Sequence, residues 1–425
     1  MKYNCLIILL LFPAISFCQD TLRGKVISEK GMPMQGASVF ISNTSIGMQT
    51  NANGGFALTK LPAGNIKIVI SYVGYEPVAV AIAATARSKQ YVIQLQPKNN
   101  ELAAVTIANY DKNGWKKWGD AFLAAFIGTS VYAEKCIIKN TAAINFIYTP
   151  ATKLLHAYAD EPLIIENRAL GYQITVTLVD FIYDFTTRNV DYRVYSLFRQ
   201  MEGTDDEMAQ WNRNRAKVYS LSLMHFMRAL YVHNLKNEGF EMRLLEKKKN
   251  AEKERIQELY KQQYSIIKYA SDSSELKGNI TNRMIEKSFS KDSLKYYRKI
   301  LAQDDRIVKL HTELLNSNTI AKQTDSNTLV LHFTDYIQVT YKKAKEPEEY
   351  VAYLNENNQA STLIDAVNSK VNVPRNYPVT EFNLEQGIPI EIAENGYYNN
   401  VDLFMNGFWG WWERIATTLP YEYEP

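Results

Sequence analysis

Between Leu22 and Leu95 apolar and polar residues alternate in short runs, and glycine or proline interrupts each run. Ile66, Ile68, Ile70 and Tyr72 fall on one side of an extended segment, and Lys67, Val69, Ser71 and Val73 on the other, because successive strand side chains point to opposite faces. Tyr91, Ile93 and Leu95 repeat the pattern, and Leu22 to Ser28, Ala37 to Ser42 and Phe56 to Lys60 read as further strands. Gly31-Met32-Pro33, Asn53-Gly54-Gly55 and Pro62-Ala63-Gly64 supply turn chemistry between them, since Gly and Asn tolerate positive φ. Short strands with this punctuation predict an all-β sandwich of about seven strands rather than a helical fold.

Five phrases in this stretch fall in a familiar order: Gly24-Lys25-Val26, Gly36-Ala37-Ser38-Val39, Asn53-Gly54-Gly55-Phe56, Leu61-Pro62-Ala63-Gly64 and Ser71-Tyr72-Val73-Gly74-Tyr75. Together they resemble the carboxypeptidase-regulatory-like domain. The resemblance implies a transthyretin-like sandwich of the kind that precedes the plug of TonB-dependent outer-membrane receptors. It implies an accessory module, without zinc. The five histidines, His156, His225, His233, His311 and His332, give no His-x-x-Glu pair and no His-Glu-x-x-His, the spacings a zinc peptidase uses. Gly-x-Ser-x-Gly and the phosphate-binding glycine loop are also missing from the sequence, so no catalytic residue, metal ligand or cofactor is assigned.

The first eighteen residues read as an address. Lys2 precedes the apolar run Leu6 to Phe12, and Ser16 and Cys18 stand at the −3 and −1 positions of a cut before Gln19, as in a secretory signal peptide. Export to the periplasm or the outer membrane is the expectation. Lipoprotein anchoring through Cys18 is the less favoured reading, because Phe17 stands where a lipobox wants a small residue. No later segment reads as a membrane helix, for which about 20 apolar residues are needed. A net charge of +3 on 425 residues lacks the clustered cations that nucleic acid requires. Cys136 alone would remain after cleavage, which leaves no intramolecular disulfide.

The whole reads as a multidomain chain: leader (1–18), sandwich (19–97), linker (98–114), and an α+β body in two parts (115–245 and 271–425) around a charged helix or insertion (246–270). Leu102 to Ala108 reads as a short strand. In the body, Trp115 to Ile127 has helical spacing, Glu134 to Asp191 is mostly strand, and Thr204-x-x-Glu207 opens a long helix that Gly239 closes. Thr328 to Tyr341 and Thr380 to Ile392 return to strand. The roughly 320 residues after the sandwich are too few for a plug and a barrel of about 22 strands, and the final Pro425 departs from the terminal aromatic strand of such barrels. Glu246 to Lys261 interleaves acids with bases, which reads as a solvated face rather than a lipid-binding surface. Pro162 to Asn167 with Leu170-Gly171-Tyr172, Asn214-Arg215, Ser222-x-x-His225-Phe226-x-Arg228 and the closing Trp, Leu-Pro and Tyr cluster also resemble an uncharacterised group of exported proteins with this N-terminal domain. That resemblance implies a shared fold and brings no activity with it.

Three features could bind. His225 and Arg228 lie one helical turn apart and could hold an anion, or could anchor a helix to a sheet, with Glu166 or an Asp of the Phe181–Phe185 strand as a partner. Trp409, Trp411 and Trp412 could stack on a sugar or fill a partner's pocket, or could clamp the C-terminus into the core. Asp160, Glu161 and Glu166 could pair as acid and base. The expectation is a non-catalytic binding or scaffold protein of the envelope, accessory to outer-membrane receptor or glycan-uptake systems, with an envelope protein or a glycan as partner. The alternative is a hydrolase of unrecognised type acting on peptide or glycan, and not a zinc carboxypeptidase.

Overall fold

The computed structural model describes residues 21–98, 110–272, 285–325, 327–356, 376–384, 387–399 and 403–425. The leader and the expected strand from Leu102 to Ala108 lie outside the described residues. The chain divides into two compact units. One comprises Met1–Tyr219, Ala393–Asn395 and Arg414–Pro425; the other comprises Ser220–Ile392 and Gly396–Glu413.

The first unit opens with the sandwich. Strand β1 (Leu22–Ile27) lies between antiparallel β4 (Gly55–Leu58) and parallel β7 (Gln90–Gln94). The facing sheet runs β3 (Gly47–Gln49), β2 (Ser38–Ile41), β5 (Ile66–Ser71), β6 (Val78–Ile82), all antiparallel. Leu22, Val26, Val39, Ile41, Phe56, Ile66, Ile68, Ile70, Ile93 and Leu95 fill the space between. Val69, on the polar side of the alternation, is fully buried with its neighbour Phe40. The reason is that this outer face does not meet water. Asn43 N–H donates to the Ser196 carbonyl at 2.7 Å, and Phe198 N–H to the Thr44 carbonyl at 2.8 Å. Leu197 sits beside Phe40 over Gly47. Tyr421 N–H donates to the Asn43 carbonyl at 2.9 Å. The sandwich is therefore continued into the rest of its unit by backbone hydrogen bonds. Burial lowers the pKa of the Lys67 ammonium on this face, and the charge of Arg193 adds to the effect.

The remainder of the first unit is a six-stranded antiparallel sheet. Its order is β8 (Cys136–Ile138), β11 (Leu163–Asn167), β12 (Tyr172–Asp184), β10 (Leu154–Ala159), β9 (Ile144–Thr149), and β13 (Val190–Gln200) pairs along β12. Helix α1 (Gly114–Phe126) covers it, because Phe122 meets Phe146 at 5.6 Å and Phe181 at 4.9 Å between ring centroids.

The expected helix from Thr204 to Gly239 is three helices: α2 (Asp205–Leu221), α3 (Leu223–Tyr231) and α4 (Leu235–Glu238). The opening capping box is present, Glu207 N–H donating to Thr204 Oγ1 at 3.3 Å and Thr204 N–H to Glu207 Oε2 at 2.8 Å. The interruption comes from Ser222, which is extended (φ −81, ψ 156) and accepts from His225 N–H as a fresh N-cap. The change of unit falls near this break and not at the charged stretch, whose residues instead end one strand and begin the next helix.

In the second unit, β14 (Phe240–Lys249) and β18 (Tyr336–Tyr341) are interior strands of a five-stranded sheet in the order β15 (Arg306–Leu310), β14, β18, β19 (Val379–Leu384), β21 (Leu403–Gly407). A smaller sheet runs β16 (Ala321–Asp325), β17 (Thr328–Leu331), β20 (Ile390–Ile392). Helix α5 (Ala251–Asp272) pairs with α6 (Lys291–Leu301) through Tyr260, Phe289 and Tyr297.

A Cβ at Gly24, in the middle of β1, would stand 2.5 Å from the Phe56 ring and 2.6 Å from the Tyr91 carbonyl. Gly24→Ala should cost about 1–3 kcal/mol, read as a lower urea midpoint; an unchanged midpoint would mean that Phe56 moves aside freely.

Candidate functional site

His225 is buried and fully engaged. Its Nδ1 lies 3.0 Å from the Ser220 carbonyl and its Nε2 3.1 Å from Glu238 Oε2, and its ring packs edge-on against Phe240. The stem of Arg228 lies beside Gly396. Glu166, in the other unit, is held by Arg168 at 2.8 Å and Lys139 at 3.3 Å. Hydrogen bonds from those two side chains, with their charge, lower its pKa below the usual carboxylate value. The carboxylate that His225 meets is thus Glu238.

Trp409, Trp411 and Trp412 belong to the short helix α7 (Phe408–Trp412), which the chain buries. Trp409 donates from Nε1 to the Leu221 carbonyl at 3.0 Å and packs on Phe226 at 5.1 Å. Trp411 packs on Tyr350 at 5.1 Å, and Trp412 stacks on Phe408 at 5.4 Å. Their ring faces meet other rings of the core.

Asp160 accepts from Asn145 and Glu161 from Asn140, each at 2.9 Å. Among the described residues, no three His, Cys, Asp or Glu side chains stand together as metal ligands would. No helix among them is long and apolar enough to cross a membrane.

The phrases 162–172 and 214–215 meet in one place. Asn214 Nδ2 donates to the Ala169 carbonyl and Arg215 Nε to the Leu170 carbonyl, each at 2.7 Å. The Arg215 guanidinium lies 4.1 Å over the Tyr172 ring. Gly171, at φ +69, leaves room for Trp211, which a Cβ would strike at 2.2 Å. This is a latch that fixes α2 to the turn before β12.

A different group stands out in the second unit. The five-stranded sheet has an apolar face, where Phe240, Phe382 and Trp409 meet Phe226 of α3. Its other face carries a buried polar row beside the apolar Leu245 and Val379. Arg243 pairs across β14 and β18 with Gln338, Gln338 pairs across β18 and β19 with Glu381, and Glu241 faces Thr340. Residues opposite one another share a face. Gln338 is 1% exposed, Thr340 0% and Glu381 2%.

The charges in this row pair with one another. Glu381 Oε2 takes the Lys247 ammonium, and Arg243 Nη1 meets Glu241 Oε2 at 3.0 Å. Lys247 also lies 4.4 Å over the Tyr336 ring. Six polar atoms nevertheless find no hydrogen-bond partner: both amide atoms of Gln338, Thr340 Oγ1, Glu381 Oε1, Asn383 Oδ1 and Arg243 Nε. Buried polar groups nearly always have partners, and this row gathers six atoms that have none among the protein's own atoms. Sequence reasoning missed it. Glu241 and Arg243 alternate with Met242 and Leu244, and Gln338 and Thr340 with Val339 and Tyr341, which reads as a solvated face; only the burial distinguishes it.

Residues 22–107 match the family model for the CarboxypepD_reg-like domain. The N-terminal module is a carboxypeptidase-regulatory-like domain. No curated protein matches the chain. Similar solved structures include a chain of a type II cohesin–X-dockerin complex, a C-terminal interface mutant, from Acetivibrio cellulolyticus. It shows 20% identity and a TM-score of 0.15 over 18% of this chain, and the match spans only 56% of that chain. A 9R-lipoxygenase from Cyanothece PCC8801 shows 9% identity and a TM-score of 0.12, with 51% and 47% of the two chains covered. Such scores describe local overlap and not a shared overall fold. The carboxypeptidase-regulatory-like domain belongs to the first unit and the polar row to the second.

Two outcomes follow. Thr340→Val removes an unpaired buried hydroxyl and should raise the unfolding free energy by about 1 kcal/mol, measured in urea; a loss of stability would show that the hydroxyl has a structural partner. Half-buried Cys136, whose pKa burial pushes up to about 12, should resist iodoacetamide at pH 8 in the folded chain and react once unfolded; peptide mapping that finds it rapidly alkylated in the native protein would contradict that raised pKa.

Proposed function

We propose that this protein is an exported, non-catalytic binding protein of the bacterial cell envelope, and that the polar row of the second unit is where it takes its ligand. The single observation that carries the reading is the set of unpartnered atoms around Gln338, Thr340 and Glu381. A row kept only for stability would gain from apolar side chains in their place. The N-terminal carboxypeptidase-regulatory-like domain is a module of accessory type, and the leader-like first eighteen residues support export. A place beside outer-membrane receptor or glycan-uptake systems fits both, with an envelope glycan or protein as the partner. The three carboxylates considered for acid–base work, Asp160, Glu161 and Glu166, each hold their own neighbours, so the binding reading needs no catalytic group.

The test is retention. Immobilised protein lacking residues 1–18 is exposed to a solubilised envelope fraction of the encoding organism, beside the double variant Gln338→Met/Thr340→Val. A component held by the first and lost by the second is expected. Equal retention by both would place the binding elsewhere on the molecule.

A further inference from the structure

We propose that one face of helix α6 docks the protein on an anionic lipid surface. The inference stands on the hairpin of α5 and α6 in the second unit and does not use the polar row.

Lys291, Lys295 and Lys299 recur every four residues along α6, and residues four apart on a helix stand on one face. All three are exposed. Leu294, Tyr297, Ile300 and Leu301 fall on the opposite side and are wholly or partly buried. Tyr297 meets Phe289 at 5.1 Å and Tyr260 of α5 at 6.5 Å between ring centroids. Burial of that apolar side turns the lysine side outward. A rise of about 1.5 Å per residue sets the three lysines along a line about 12 Å long. Lys287, also exposed, precedes them by one further interval of four.

The other charges of the hairpin decide what this line can do. Glu252 holds Arg255, Glu254 holds Lys249, Glu258 holds Lys261 and Glu286 holds Arg298. The charged stretch 246–261 thus settles its charges largely within itself, and it is not the docking surface. Lys287, Lys291, Lys295 and Lys299 form no ion pair among the described residues. Asp292 is the one acid within α6, so the line keeps a clear positive excess.

The kind of cation selects the occupant. A lysine is a compact, hydrated charge on a flexible stem, whereas an arginine fork suits a single carboxylate or phosphate. The guanidinium on this face, Arg298, is already committed to Glu286, with Nε 3.1 Å from Oε1. What remains is a row of point charges on a convex helix face. Such a row fits a plane of headgroups rather than a small anion, which takes a concave site. Tyr296 flanks the row at 46% exposed, and Tyr264 and Ile266 of α5 are 44% and 58% exposed. Tyrosine rings suit the boundary between membrane and water, and lysines with exposed apolar side chains are the pattern of membrane-surface helices. An acidic protein fits less well, because protein interfaces are depleted in lysine.

The experiment is vesicle co-sedimentation of the chain lacking residues 1–18, so that the apolar run Leu6 to Phe12 does not itself enter the bilayer. Vesicles of phosphatidylcholine are compared with vesicles of phosphatidylcholine and phosphatidylglycerol in equal parts, at low and high salt. The parent should bind the anionic vesicles alone, and less as salt rises. Each lysine near an anionic surface is worth about fivefold in binding. Lys291→Gln/Lys295→Gln/Lys299→Gln should therefore lower binding by about 100-fold, while Lys291→Arg/Lys295→Arg/Lys299→Arg should keep it. Lys112→Gln/Lys116→Gln/Lys117→Gln, which removes the same charge from exposed positions of the first unit, should leave binding unchanged. Gln and Lys are similar helix formers, so the variants should share the parent's urea midpoint. The proposal is overturned if the parent binds neither vesicle or both alike. It is also overturned if the glutamine triple of α6 binds as well as the parent, if the arginine triple loses binding too, or if both glutamine triples lose it equally. Retention of the parent on immobilised polyaspartate, lost in the glutamine triple of α6 and with no vesicle bound, would assign the row to an acidic protein and overturn the lipid surface.

Discussion

A hydrogen-bonding atom taken out of water without a partner costs about 1–3 kcal/mol, and six atoms with no partner among the protein's own atoms lie on one face of one sheet in the second unit. The opposite face shows what the same strands do when stability alone is served. There Phe240, Phe382 and Trp409 enclose Phe226, and His225 secures both of its ring nitrogens. Side chains one residue away along the same strands point the other way, and there the Gln338 amide, the Thr340 hydroxyl and Oε1 of Glu381 have no partner among the protein's own atoms, while Oε2 of Glu381 holds Lys247.

That contrast separates the architecture from the candidate activity. Trp409, the His225–Glu238 pair and the Arg215 latch each place their polar atoms on local partners, and each fixes a helix to its neighbours. Arg215 illustrates the point: its charge is buried, and desolvation lowers its pKa, but carbonyl oxygens and the Tyr172 ring surround it. The row from Arg243 to Asn383 balances its charges yet leaves its neutral hydrogen-bonding groups open.

Much of the sandwich was legible because period-two alternation and turn glycines are local signals. The burial of Val69 and Phe40 was not, since it depends on Leu197 and Ser196, more than a hundred residues away in the chain. Thr204 and Gly239 announced the two ends of the helical region, but Ser222 acts as a cap within it and a helical stripe continues across that break. Asn214 and Arg215 meet the carbonyls of Ala169 and Leu170, and these contacts are structural. The polar row left no mark in the sequence, because alternating polar residues on a strand look the same whether water or a closed interior faces them.

The most direct measurement is a crystal structure of the purified chain at a resolution that shows ordered solvent. The account predicts density for a bound polar molecule, or a chain of waters standing in its place, spanning Gln338, Thr340 and Glu381 Oε1. Finding those three groups hydrogen-bonded to protein atoms, with no room between them, would contradict it.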